Sequence, residues 1–205
     1  TVFIVSDHGA RSLEGGFALN DWLIRQGYLV LKEAGPVDSV TNSDRIPLTH
    51  EMIDWSRTRA WGEGGYYGRV FLNVAGREPE GIVPRSGIES LLSDLTRKLE
   101  DLPDDRGDPM GTVVRRPEDL FTEIKGIPPD LFVYFGDLAW RSIGTIGGDS
   151  LYTPGNDIGP DDANHNWDGI FIAAGRGISE EGETASDILD IAPRVLSVLD
   201  LPVDH

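Results

Sequence analysis

An aspartate and a histidine directly follow the first apolar run of the chain. The run Val2–Val5 is too short for a helix and is typical of a strand buried on both faces, as in a parallel sheet. It is followed by Ser6, Asp7, His8 and Gly9. In open α/β sheets ligands bind at the carboxyl ends of strands, and both Asp and His are ligands of zinc. The pattern predicts a metal-binding pair, and the alternative is an aspartate that caps a turn beside a surface histidine.

A second histidine lies late in the chain, in Asn164-His165-Asn166-Trp167-Asp168-Gly169, just before an apolar run predicted as a buried strand. His165 can join Asp7 and His8 only if the two strands are neighbours, and otherwise it is a loop histidine beside an acidic segment. The spacing also matches the first half of an EF-hand calcium loop. Against that alternative, the twelfth position is Gly175 where a bidentate Glu is needed, and the following run indicates a strand where the EF-hand has a helix.

Composition narrows the classes of function. The chain has 205 residues, with 35 acidic and 18 basic side chains and a net charge of -17. This charge argues against nucleic acid and against anionic membrane surfaces as partners, whereas it suits bound cations. There is no cysteine, which excludes disulfides and thiolate metal sites and fits a reducing compartment. No apolar run approaches the 18 residues of a membrane span.

Strand and helix patterns alternate, which predicts an α/β fold. The clearest helix is at 88–102, where Leu91, Leu92, Leu95 and Leu99 form one stripe. Other helices are predicted at 17–26 and 185–199 with a helical turn at 117–121, strands at 28–31, 69–74, 113–116, 130–135 and 168–175, and little regular structure at 142–166. The middle, about 33–127, has more turns and is predicted to be an insertion between two halves of one sheet.

Several motifs, taken in order along nearly the whole chain, resemble the type I phosphodiesterase/nucleotide pyrophosphatase branch of the alkaline phosphatase superfamily. They are Ser6-Asp7-His8-Gly9, Asn20-Asp21-Trp22-Leu23, Gln26-Gly27-Tyr28-Leu29, and the segments 54–60, 76–83, 165–173 and 188–193. The resemblance implies an alkaline-phosphatase-like three-layer α/β/α sandwich. Residues 1–205 would be the C-terminal part of one such catalytic domain, with the inserted subdomain at about 33–127. A chain that opens directly on a core strand also leads us to expect missing upstream sequence.

The resemblance implies a site with two divalent metal ions, zinc or manganese. Asp7 and His8 would bind the ion that also holds the nucleophile, and His165 would bind the other ion. Two ions about 4 Å apart clamp the attacking and leaving oxygens of a phosphoryl displacement, so we expect all three side chains within about 10 Å of one another. The family's early Asp, its Thr or Ser nucleophile and its Asp-x-x-x-His pair come from the first half of the family's chain, and none can be placed ahead of Asp7. After His165, Asn166-Trp167 stands where the family often has Arg.

The function expected of the parent protein is metal-dependent hydrolysis of phosphodiester or nucleotide pyrophosphate bonds in a small phosphate ester or nucleotide. The chain alone is expected to be inactive because it lacks the nucleophile. A phosphomutase or phosphonate hydrolase with the same site is one alternative, and a non-catalytic acidic binding domain is another. We also expect self-association through an uncovered sheet edge.

Further residues near these motifs have two interpretations each. Asp157, Asp161 and Asp162 could support the metal ligands, or could belong to a solvated acidic loop. Arg77 could orient a phosphate, or could form a surface salt bridge in its turn.

Overall fold

The computed structural model describes residues 1–32, 45–155, 162–176, 178, 182 and 185–202. The strands are β1 Val2–Val5, β2 Gly9–Ser12, β3 Gly15–Ala18, β4 Ile46–Pro47, β5 Ala60–Glu63, β6 Gly68–Leu72, β7 Val113–Arg115, β8 Leu131–Tyr134, β9 Trp140–Ile143, β10 Thr145–Ile146, β11 Tyr152–Thr153, β12 Ala163–Asn166 and β13 Phe171–Ala174. The helices are α1 Leu19–Arg25, α2 Ile88–Glu100, α3 Pro117–Leu120 and α4 Ile191–Val198, with 3₁₀ turns at His50–Met52, Arg85–Gly87, Phe135–Leu138 and Ile188–Asp190. The fold is therefore of the mixed α/β class.

The chain divides into two compact units, a smaller one of 1–10 with 165–205 and a larger one of 11–164. The division falls within β2 and β12, which form a two-stranded sheet. The predicted insertion at about 33–127 does not coincide with either of these units, and it stays a prediction. None of the helices in the described ranges is long and apolar enough to cross a membrane.

In the smaller unit, β1 pairs antiparallel with β13, and Val2 stands opposite Ala174. The strand itself was predicted, but its placement in a parallel sheet, buried on both faces, was wrong: Val2 and Ile4 are 60% and 55% exposed. The physical reason is that an apolar run favours a strand without specifying which strand pairs with it or what covers its faces. Self-association through an uncovered sheet edge stays a prediction.

The larger unit contains a four-stranded antiparallel sheet in the order β5-β6-β8-β7. The leucine stripe of α2 is buried and belongs to the same core cluster as Val114, Leu131 and Val133 of the sheet. The prediction of α2 from its leucine spacing is confirmed, because an amphipathic helix buries the apolar stripe that a period of 3.6 produces.

Several local predictions were wrong. The segment predicted as one helix at 17–26 begins as β3, which is parallel to β9 and antiparallel to β11, and becomes helical only at α1. The segment 142–166, predicted to be irregular, contains short strands, and 28–31 makes only an isolated bridge from Leu31 to Ile53. The predicted helix at 185–199 begins with a 3₁₀ turn at Ile188. Strands of two to four residues are too short to show a periodic pattern, which explains these errors.

Candidate metal site

Ser6 holds the two histidine-bearing segments of the smaller unit together. Its backbone N–H donates to the Ile170 carbonyl oxygen at 2.9 Å, and its Oγ accepts from the Ile170 N–H at 2.7 Å. These two bonds extend the β1–β13 pairing by one residue beyond the strand end. Asp7 and His8 therefore leave β1 alongside the residues that enter β13.

Two glycines let these segments approach closely. A Cβ on Gly9 would lie 2.2 Å from the Asp168 carbonyl oxygen, and a Cβ on Gly169 would lie 2.4 Å from the Ser6 carbonyl oxygen. Neither distance is possible for a real side chain, so only glycine fits at both positions. The last residue of the Asp-His-Gly motif and the last residue of the Trp-Asp-Gly motif thus serve one purpose, the contact between the two segments.

The structure brings the three predicted ligands together. The rings of His8 and His165 stack with centroids 3.8 Å apart and planes 15° apart. His8 Nε2 lies 3.8 Å from Asp7 Oδ1, and the two side chains are 42% and 77% exposed. His8 Nδ1 is 2.8 Å from the Gly9 carbonyl oxygen, which can only accept, so in a neutral ring Nδ1 carries the hydrogen and Nε2 keeps its lone pair.

This donor set fits part of a metal site. Two ligands at about 2.0–2.2 Å from a tetrahedral zinc ion lie roughly 3.3–3.6 Å apart, close to the observed separation of the Asp7 and His8 donor atoms. Imidazole lone pairs lie in the ring plane, so two stacked rings direct them along nearly parallel lines and do not converge on one ion. Within the described ranges there is no group of three or more His, Asp or Glu side chains that could hold a metal ion. Asp7 and His8 could therefore hold at most part of a metal site.

A cavity of about 750 Å³ lies beside Asp7 in the same unit. Its lining includes Asp7, Asp168, Asp187 and the exposed Trp167, and neither Lys nor Arg is among the described residues that line it, although Arg194 lies over the ring of Phe171, which does line it. An anionic phosphate would be repelled by such a wall unless cations were bound there.

The other candidate residues have different roles. Asp162 is exposed, while Asp157 and Asp161 lie outside the described residues. Asn164 is buried in β12, where its Nδ2 donates to the carbonyl oxygens of Tyr66 and Leu138 at 3.1 and 2.8 Å. This strand and these bonds leave no EF-hand loop, so the calcium alternative was wrong.

Arg77 lies in the larger unit and forms a two-pronged ion pair with Asp130, Nη1 to Oδ1 at 2.7 Å and Nη2 to Oδ2 at 2.6 Å. Its guanidinium also donates to Glu78 and to the Leu72 carbonyl oxygen. The salt-bridge interpretation of Arg77 therefore agrees with the contacts, although the pair is half-buried.

Sequence reasoning missed the roles of Ser6 and Gly169, which bring the site together. The only sequence signal for them was the small residue beside each histidine-bearing motif. Such a residue marks a possible close approach without naming its partner.

The comparisons with known proteins agree with the motifs. No curated protein and no solved structure matches the chain. One family model, type I phosphodiesterase / nucleotide pyrophosphatase, matches residues 1–161, a range that includes Asp7 and His8 and ends shortly before His165. Because the match covers most of the chain and includes the Asp-His-Gly segment, the chain belongs to the type I phosphodiesterase/nucleotide pyrophosphatase family.

Proposed function

We propose that this protein is a metal-dependent hydrolase of phosphodiester or nucleotide pyrophosphate bonds, in which Asp7 and His8 bind one divalent ion and His165 binds a second. Family membership supports a phosphoester hydrolase. The observation that carries the metal assignment is the stacking of His8 and His165 at 3.8 Å. Parallel imidazoles at that spacing suit two ions side by side, since paired catalytic ions lie about 3.5–4 Å apart.

Each residue has a defined task in this proposal. The Gly9 carbonyl oxygen holds the hydrogen of His8 on Nδ1, so that Nε2 is the ligand atom. Asp7 supplies a carboxylate oxygen beside that nitrogen. Ser6 orients both by fixing the strand end to Ile170. Bound divalent ions would supply Lewis-acid stabilisation of the phosphoryl oxygens, and zinc or manganese suits these ligands.

We further propose that the 205-residue chain belongs to an alkaline-phosphatase-like three-layer sandwich and does not turn over substrate by itself. The argument is a count of ligands. Catalytic zinc takes three protein ligands and a water, whereas Asp7 and His8 supply two to one ion and His165 supplies one to the other. Binding of zinc to the chain should therefore be weak, and we propose that the family's nucleophile is not among its residues.

The test is zinc titration of the 205-residue chain by calorimetry, together with imidazole ¹⁵N resonances from NMR. We expect weak binding that shifts Nε2 of His8. His8→Ala should weaken binding at least about tenfold, because even losing an outer partner of a ligand costs about 10–100-fold. His50→Ala, in the larger unit, is the matched control and should change nothing.

Hydrolysis of bis-(p-nitrophenyl) phosphate by the chain, with added zinc or manganese, tests the second part. No turnover above buffer is expected. Metal-dependent turnover would show that the catalytic residues have been misplaced, and zinc binding indifferent to His8→Ala would refute the ligand assignment and favour a non-catalytic binding domain.

A further inference from the structure

A small cavity in the larger unit is walled by three aromatic rings. Trp55 and Trp61 meet at 90° with centroids 5.0 Å apart, and the His50 ring lies 4.8 Å from Trp55. The cavity has a volume of about 100 Å³. One face of Trp61 is stacked on Phe71 with centroids 5.4 Å apart. The negative faces of aromatic rings attract cations.

The cavity is also lined by Asn73, Glu78, Pro79 and Glu80. Asn73 is fully buried, and its Nδ2 lies 3.0 Å from each of three carbonyl oxygens, those of Trp55, Thr58 and Glu80. One buried amide thus joins the segments 54–60 and 76–83. Both segments carry the family resemblance, and neither contributes to the candidate metal site. The cavity is therefore a second candidate binding site of the chain.

The residues that line this cavity leave mainly hydrogen-bond acceptors and aromatic rings for a ligand. The Trp55 indole N–H already donates to the His50 carbonyl oxygen at 3.2 Å, and the Asn73 amide N–H groups are used as described. The Asn73 Oδ1 is a buried acceptor with no hydrogen-bond partner among the residues that the structure describes. What remains for a ligand is dominated by ring faces, an amide oxygen and carboxylates.

The charged groups at and next to the cavity are mostly negative. The single guanidinium of Arg77 is shared between Asp130 and Glu78, to which its Nε donates at 2.9 Å. Glu80 adds a further carboxylate, and its residue is exposed. These four groups comprise three negative charges and one positive charge, a local excess of two negative charges, which repels anions and attracts cations.

We propose that this cavity binds an organic ammonium cation, with a methylated head group such as that of choline. Aromatic walls with nearby carboxylates recognise weakly hydrated ammonium groups through cation–π attraction. A bare metal ion is a poorer fit, because no three His, Asp or Glu side chains converge within the described part of the chain. His50, Trp55 and Trp61 also line a cavity of about 590 Å³, which has room for the rest of a larger ligand. The proposal does not depend on the hydrolase.

Calorimetric titration of the 205-residue chain tests this. Choline and tetramethylammonium should both bind saturably, and 3,3-dimethyl-1-butanol, the uncharged analogue of choline, should bind at least about tenfold more weakly. Nε-trimethyl-lysine is titrated as a third cation. Tighter binding of choline identifies a free small molecule as the ligand, and tighter binding of trimethyl-lysine identifies a modified side chain.

Matched variants locate the site. Trp61→Leu should weaken choline binding about tenfold, and Glu80→Gln, a change at an exposed residue that leaves the fold intact, should weaken it about two- to fivefold. Phe121→Leu, an aromatic-to-leucine change at an exposed residue of the larger unit, should have no effect. Equal binding of the uncharged alcohol, no saturable binding of either cation, or binding unchanged in both Trp61→Leu and Glu80→Gln would overturn the proposal.

Discussion

Asn73 should be one of the most sensitive positions in the larger unit. Besides its three side-chain contacts, its backbone N–H donates to the Arg59 carbonyl oxygen at 2.8 Å, and its own carbonyl oxygen accepts from the N–H groups of Ile82 and Val83. The backbone bonds survive any substitution other than proline. A change of side chain therefore isolates the contribution of the amide.

The magnitude follows from the geometry. An amide NH₂ has two hydrogens, so it can satisfy two of the three carbonyl oxygens fully. Asn73→Ala leaves these two acceptors buried without a donor, at about 1–3 kcal/mol each. Loss of the Asn73 Oδ1, itself without a partner among the described residues, offsets part of this cost. We expect the free energy of unfolding to fall by about 2–4 kcal/mol.

Asn73→Asp is the matched variant, because it keeps the shape and replaces the donor by a carboxylate that faces carbonyl oxygens. It should lower the free energy of unfolding more than Asn73→Ala at pH 7. Burial would raise the pKa of the new carboxyl, so its deficit should shrink as the pH falls towards the unfolded-state value of about 3.9.

The assay is urea unfolding followed by tryptophan fluorescence, since four of the five tryptophans lie in the larger unit. A loss below about 0.5 kcal/mol for Asn73→Ala, or an Asn73→Asp protein as stable as the wild type at pH 7, would refute the reasoning.

Two further predictions concern charged groups of the larger unit. Burial raises the pKa of Tyr28, and its hydrogen bond to Asp94 raises it further, so the stability that this hydroxyl contributes is present below about pH 10 and is lost as the pH rises through the folded-state pKa. The measurement is the melting temperature of the wild type and of Tyr28→Phe between pH 8 and pH 11.5, roughly one to two units either side of that value. The melting temperature of Tyr28→Phe should fall less steeply with rising pH than that of the wild type. Identical slopes of melting temperature against pH would contradict this. Arg77→Lys keeps the charge but not the two parallel hydrogen bonds to Asp130, so it should lower the free energy of unfolding by about 1–3 kcal/mol in urea titrations. The control is Arg97→Lys at an exposed position, which should lower the free energy of unfolding by less than about 0.5 kcal/mol. Equal losses for the two variants would refute the special role of the half-buried pair.

Elements with a long periodic pattern could be predicted from the sequence, and elements defined by their partners could not. The leucines of α2 recur at helical spacing from Leu91 to Leu99, so the pattern alone specifies the helix and its buried face. The strand β3 has four residues, two of them glycine, and it exists because β9 and β11 pair with it. Those partners lie more than a hundred residues away in sequence, where no local pattern records them.

The same division holds for the candidate site. Residue types and motif order identified Asp7, His8 and His165 as a group with metal-binding chemistry, because carboxylate and imidazole have that chemistry wherever they stand. Their contact depends on Ser6 and on the space that the two glycines leave, which are properties of the backbone path.

The sequence by itself therefore determined the family, the long helix and the chemical character of the candidate ligands. Only the tertiary structure decided that the first strand is antiparallel and half-exposed, that two histidines stack, and that Asn73 gathers two distant segments around an aromatic cavity. The physical reason is that propensity and chemistry belong to single residues and short windows. Pairing, close approach and cavity shape arise from contacts between segments that are far apart in the chain.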